Sequence, residues 1–216
     1  MALTFRGVNG LAPATNVTSQ NPPKFASQAS GDLIFTECFV SAVRTLSITA
    51  GWEILFQANN GSMTYGIAFK VAANTTETPT WSWSGGADTL GSNNWDFAGQ
   101  WSGGRPIGAT NFTGPTASQT TISNTIGNIT SDGAEVVAWH NAFNNQTVPV
   151  PSGFTSLNNF SGASASERVS KKTTTANHGD SVTATATVTT VTVEGSLVEI
   201  RMAAPVAVRP QVVIIR

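Results

Sequence analysis

Charge is what this sequence has least of. Only 11% of its 216 residues are charged, against about 25% in an ordinary soluble domain. The 11 basic and 12 acidic residues leave a net charge of −1. Lys171-Lys172 is the one adjacent basic pair, and it reads as a solvated strand end. A nucleic-acid partner needs a basic face, so none is expected. A single cysteine, Cys38, leaves no disulfide within the chain. Two histidines, His140 and His178, with no regular Cys/His spacing, give no zinc site, and no other cofactor is indicated. No apolar run approaches the roughly 20 residues of a membrane helix, so no membrane partner is expected. Residues 1–10 lack the charged-then-apolar pattern of a secretory leader, which points to synthesis in a cytoplasm. Asn-x-Ser/Thr sites such as Asn16, Asn60, Asn74 and Asn159 are then chance matches in a chain rich in Asn and Thr.

Helical periodicity is missing as well. Apolar residues make up 40% of the chain, enough for a core, and they alternate with period two. Met63, Tyr65, Ile67, Phe69 and Val71 share one strand face, and Thr64, Gly66, Ala68 and Lys70 the other. Val182, Ala184, Ala186 and Val188 alternate with Thr183, Thr185, Thr187 and Thr189. The apolar positions then move to Val191 and Val193, and a bulge near Thr189-Thr190 is the cheapest repair of such a slip. Glu194-Gly195-Ser196 reads as a hairpin turn leading to Val198, Ile200 and Met202. Residues 33–40 and 136–139 are apolar on both faces and read as central strands. Further strands are expected at 52–57, 79–84, 95–101, 119–123, 154–157 and 167–172. This set predicts an all-β, two-sheet antiparallel sandwich of the jelly-roll type.

The pattern also echoes itself. Gly31-Asp32 opens an apolar strand and Ala50-Gly51-Trp52 follows; Asp132-Gly133 opens another and Ser152-Gly153-Phe154 follows. The offset from Gly51 to Gly153 is 102 residues. It carries Phe69-Lys70 to Lys171-Lys172 and the segment 80–83 to 182–185. Two similar strand sets folded together are expected, since two copies are too few for a solenoid. The sandwich is placed at residues 31–203. Residues 1–30, with Pro13, Pro22 and Pro23 and no sustained period, read as an extended N-terminal arm. Residues 204–216 read as a C-terminal tail in which Pro205 and Pro210 exclude a helix. There Val212, Val213, Ile214 and Ile215 are too apolar to leave in water and are candidate subunit contacts; docking on their own sandwich is the alternative.

Gly31-Asp32-Leu33-Ile34, Ala50-Gly51-Trp52, Ile67-Ala68-Phe69-Lys70-Val71-Ala72, Trp95-Asp96-Phe97-Ala98-Gly99 and Asp132-Gly133-Ala134-Glu135-Val136-Val137-Ala138 carry a resemblance. Over roughly residues 31–203 the chain resembles a β-sandwich domain of bacteriophage virion proteins, found on head surfaces and in tails. Gly99-Gln100-Trp101 stands where that family has Tyr-Arg-Gly. The resemblance implies a fold and a virion location, and brings no catalytic residues with it.

The residues themselves offer little chemistry. No Gly-x-Ser-x-Gly elbow accompanies His140, which reads as structural. Cys38, between Glu37 and Phe39 in an apolar run, reads as a small buried hydrophobe. Asp88 and Asp96 could form a glycosidase pair, and Asn93, Asn94 and Asp96 a calcium site, but turn and strand roles are the simpler reading. Among the six tryptophans, Trp81, Trp83, Trp95 and Trp101 are candidate sugar-stacking residues, with an aromatic core layer as the favoured alternative. The function expected is that of a non-enzymatic virion structural protein, a homo-oligomer contacting other virion proteins. The alternative is a carbohydrate-binding attachment module with a surface glycan as partner.

Overall fold

The computed structural model describes residues 4–99, 101, 104–161 and 165–202. The tail residues Val212, Val213, Ile214 and Ile215 lie outside this set. The first half supplies β1 (Thr4–Val17), β2 (Ser19–Gln20), β3 (Leu33–Val40), β4 (Leu46–Ile48), β5 (Glu53–Asn59), β6 (Thr64–Val71), β7 (Trp81–Trp83) and β8 (Asp88–Ala98). The second supplies β9 (Ile107–Ile126), β10 (Glu135–Ala142), β11 (Phe154–Ser161), β12 (Ser166–Lys172) and β13 (Val182–Ile200). Every ladder is antiparallel.

Two five-stranded sheets form the sandwich, in the orders β1-β8-β3-β6-β5 and β11-β12-β10-β13-β9. Each half of the chain keeps to its own sheet. Read from the other end, the second order is β9-β13-β10-β12-β11, which matches the first strand for strand. The 102-residue echo is therefore a structural repeat. The pair Phe35↔Phe69 recurs as Val137↔Lys171. The register shift between Ile54 and Phe56 recurs between Ser156 and Asn158. The tight turns recur too: Trp52 N donates to Thr49 O at 3.3 Å and Phe154 N to Pro151 O at 3.1 Å. Their third residues, Gly51 and Gly153, have φ of 87° and 77°, a conformation that glycine adopts at no steric cost. The two non-glycine residues with positive φ among the described residues, Asn16 (60°) and Ser118 (57°), are also 102 apart. Across the sandwich β1 lies against β11 and β5 against β9, which relates the repeats by an approximate two-fold axis between β3 and β10.

The middle layer is aromatic. Leu33, Phe35, Tyr65, Ile67, Phe69, Trp95 and Phe97 of one sheet meet Val137, Trp139, Val169, Val198 and Ile200 of the other. The Phe35 and Trp139 rings stand 4.9 Å apart near the axis, and Trp95 meets Trp139 edge-on at 6.0 Å. Each sheet is also apolar on its outer face, and each has a cover. Over the first lies the three-stranded sheet β2-β7-β4, which packs Trp81, Trp83 and Leu46 on Cys38, Val40 and Ala68. Gly66 lets it close down, since a Cβ there would sit 2.7 Å from the Leu46 side chain. Over the second lies the far end of the β9–β13 ribbon, bent back on itself. Ile126, Val182 and Ala184 of that ribbon pack on Val136, Ala138 and Leu197.

Two expectations change. Glu194-Gly195-Ser196 is not a turn: β13 runs unbroken through it, paired with Asn141, His140 and Trp139. Gly195 is needed for close approach, because a Cβ would collide with the Asn124 side chain of the bent-back ribbon. The bulge expected near Thr189-Thr190 does occur, as a register shift between Thr187 and Val191. Residues 1–30, read as an arm outside the sandwich, contain β1, the edge strand of the first sheet, with Phe5 on Phe97 at 5.3 Å. Three register shifts break the alternation of β1, which is why it lacks a readable period.

Trp139→Ala should destabilise the chain by about 3–5 kcal/mol, as for other fully enclosed large aromatics. Phe160→Ala, at a side chain 49% exposed on the edge strand β11, should change stability by less than about 1 kcal/mol. Urea unfolding of the two variants checks both values.

Candidate functional site

The tryptophans do not form a stacking platform. Trp81 and Trp95 are fully enclosed and Trp83 is 6% exposed, so none offers a ring face to a sugar. Trp81 Nε1 donates to Thr36 Oγ1 at 3.0 Å, fixing the cover sheet to β3. Trp101 alone of the four is half-buried, and its Nε1 donates to Arg201 O at 3.2 Å. Asp88 and Asp96 are no glycosidase pair. They lie eight residues apart on one strand, or about 27 Å along it, several times the spacing such a pair needs. Asp88 is instead ion-paired to Arg44 at 2.6 Å. Asn94 donates to the carbonyls of Pro22 and Pro23, at 2.9 and 3.0 Å. No group of three or more His, Cys, Asp or Glu among the described residues is arranged to hold a metal ion.

The polar chemistry of the chain lies instead between the sheets. Period-two alternation turns Glu37 on β3, Tyr65 on β6 and Asn93 on β8 inward from the first repeat. From the second it turns inward Asn141 on β10, Glu167 on β12 and Glu194 on β13. Glu37 and Asn93 are direct cross-strand partners, as are Asn141 and Glu167, and Asn141 and Glu194. All three carboxyl groups are enclosed: Glu37 and Glu194 are 0% exposed and Glu167 3%. Asn93 Nδ2 bridges the sheets, donating to Glu37 Oε1 at 2.7 Å and Glu167 Oε2 at 3.4 Å. Tyr65 Oη donates to Glu37 Oε2 at 3.3 Å, and Asn141 Nδ2 to Glu194 Oε2 at 3.3 Å. Glu37 and Glu167 thus share one amide nitrogen across the sandwich, while Glu167 Oε1 and Glu194 Oε1 have no hydrogen-bond partner among the described residues.

No cationic side chain is ion-paired to these acids among the described residues. Burial pushes Glu37 well above the ordinary carboxyl range, and the fields of Glu167 and Glu194 push it further. Burial likewise raises Glu167 and raises Glu194 strongly. The Tyr65 phenol is raised, first by burial and then by the nearby glutamates. A sealed cluster of this kind holds protons. Among the described residues it is enclosed between the sheets. The signal that finds it is positional: acids at inward positions of strands whose other inward residues are aromatic or aliphatic.

Behind this layer sit the two residues that first suggested reactivity. Cys38 and His140 occupy equivalent places on β3 and β10, on the outward faces, and both are 0% exposed. Burial, then Glu37, raises the Cys38 thiol, which leaves it protonated and inert. Neither His140 nitrogen has a hydrogen-bond partner among the described residues, and burial lowers its pKa to about 4. Near the start of the first repeat, Arg6 Nε meets Asp32 Oδ2 at 2.9 Å, with Asp96 beside them. Burial, then the Asp32 charge, raises Asp96 to about 7. At the matching place in the second repeat Glu199 accepts Ala109 N at 2.6 Å and Ser131 Oγ at 2.8 Å. Comparison of the chain with family models, curated proteins and solved structures finds no match.

His140 stays neutral in the folded chain while an unfolded chain protonates it below its ordinary 6.5. Its contribution is therefore complete above that value and is lost as pH falls toward about 4. His140→Leu should remove this loss. Relative to wild type, the variant should gain about 3 kcal/mol between pH ~7 and pH ~4, measured by urea unfolding at both.

Proposed function

We propose that this chain is a non-enzymatic structural subunit of an assembled particle. The bacteriophage virion, at the head surface or in the tail, is the setting to which its resemblance points. One observation carries this reading: the groups that could do chemistry are used to hold the fold together. Three glutamates, the lone cysteine, His140 and Trp81, Trp83, Trp95 and Trp139 are all enclosed. What faces solvent is small and uncharged over long stretches. On the outer ribbon Thr121, Ser123 and Thr125 stand beside Thr187, Thr185 and Thr183, all exposed. Their hydroxyls pair across the strands, Ser123 with Thr185 and Thr125 with Thr183, each at 2.9 Å. A rigid sandwich covered on both sides, with low surface charge, suits close packing among neighbours of the same kind and among other virion proteins.

The glycan-binding alternative loses three of the four tryptophans on which it rested, since Trp81, Trp83 and Trp95 are core residues. Gold-labelled antibodies against the chain, applied to purified particles from its source, test the proposal. Label at regular positions on heads or tails is the expected result. Intact particles without label, together with abundant free protein in the same lysate, would contradict it. A glycan array that captures the purified chain would favour attachment instead.

A further inference from the structure

The glutamate cluster sits where the two repeats meet, and there they differ in a reciprocal way. Glu37 in the first repeat corresponds to Trp139 in the second, 102 residues on; Tyr65 in the first corresponds to Glu167 in the second. Each repeat thus presents an acid where the other presents an aromatic ring. Pairing unlike repeats sets Glu37 beside Glu167 with Asn93 bridging them. It also brings the Tyr65 hydroxyl to Glu37. We propose that Glu37, Glu167 and Glu194 form a proton-operated lock between the repeats. Protonated, Glu37 and Glu167 share the Asn93 bridge that ties the first sheet to β12, with Glu194 enclosed beside them on β13; deprotonated, they force the sheets apart.

The groups that face the lock are few. Tyr65 comes from β6, Asn93 from β8 and Asn141 from β10. Cys38 and His140 lie on the far faces of β3 and β10. The ion pair of Lys171 with Glu135, at 3.3 Å, lies about 20 Å farther along β10. Two carboxyl groups held by one amide nitrogen cannot both ionise without strong repulsion, and burial penalises even one charge. The folded chain therefore holds protons that the unfolded chain releases above about 4.5. The sign follows: the stabilisation is complete below that value and declines as pH rises toward the raised folded-state values.

The test uses the full chain and its triple variant Glu37→Gln, Glu167→Gln, Glu194→Gln, in which neutral amides replace the acids. Urea unfolding is followed by tryptophan fluorescence between about pH 5 and about pH 8. The folding constant of the wild type, divided by that of the variant, should fall about tenfold per pH unit for each proton released. Amide exchange in β3 and β12 should accelerate over the same range in the wild type only. A ratio that does not change with pH would overturn the proposal. So would a triple variant that fails to fold at pH ~5, where the acids are themselves neutral. Glu194→Gln alone should lessen the slope, and an unchanged slope in that variant would remove Glu194 from the lock.

Discussion

Neither five-stranded sheet can stand in water, because each is apolar on both faces. β10 is buried along its whole length, and β3 is buried at all but one position. The rest of the structure follows from that constraint. The inner faces are matched by packing one repeat against the other around Phe35, Trp95 and Trp139. The outer faces have no second copy to meet, so each repeat folds its own flanking strands over itself. In the first repeat the cover is a separate small sheet bearing Trp81 and Trp83. In the second it is the bent end of a two-stranded ribbon. The left-handed residues Asn16 and Ser118, 102 positions apart, stand just before the two covers.

Doubly covered sheets leave few edges for uncontrolled pairing. The strands β5 and β11 are outer strands of their sheets and correspond to one another in the repeat. Each carries a bulge at the same place, a device that twists an edge away from unwanted partners. The buried polar groups fall into two kinds. Arg6, Asp32 and Glu199 are satisfied by ion pairs or by backbone donors, and they tie strand ends to loops. The inter-sheet acids meet only amides and a phenol, and one oxygen each of Glu167 and Glu194 has no partner among the described residues, which makes them dependent on protons. A buried ionisable cluster is a poor source of net stability compared with apolar packing. Its value is in fixing which surfaces meet, and in what register.

Much of this architecture was legible in the sequence. Clean alternation located β6 and the first part of β13, two-faced apolar runs located β3 and β10, and glycine turns located the repeat. Legibility failed where one signal had two causes. Gly195 between a charged and a polar residue looks like a turn, but it is a contact point for Asn124, and the charge beside it is turned inward. The bulges of β1 erased its period and made an edge strand look like an arm. Trp81, Trp83 and Trp95 are core, as the favoured reading had it, because a sandwich with four layers has more interior to fill than one with two. The acid cluster was invisible residue by residue. Glu37, Glu167 and Glu194 come together only once two sheets are superposed about the repeat axis.

The central claim is that the two repeats form one cooperative body, with neither stable without the other. Native-state hydrogen exchange across a series of sub-denaturing urea concentrations measures this directly. The account predicts that the central amides of β3 and β6 open with the same free energy and the same urea dependence as those of β10 and β12. Two distinct opening energies, one for each half of the chain, would show two independent units and contradict it.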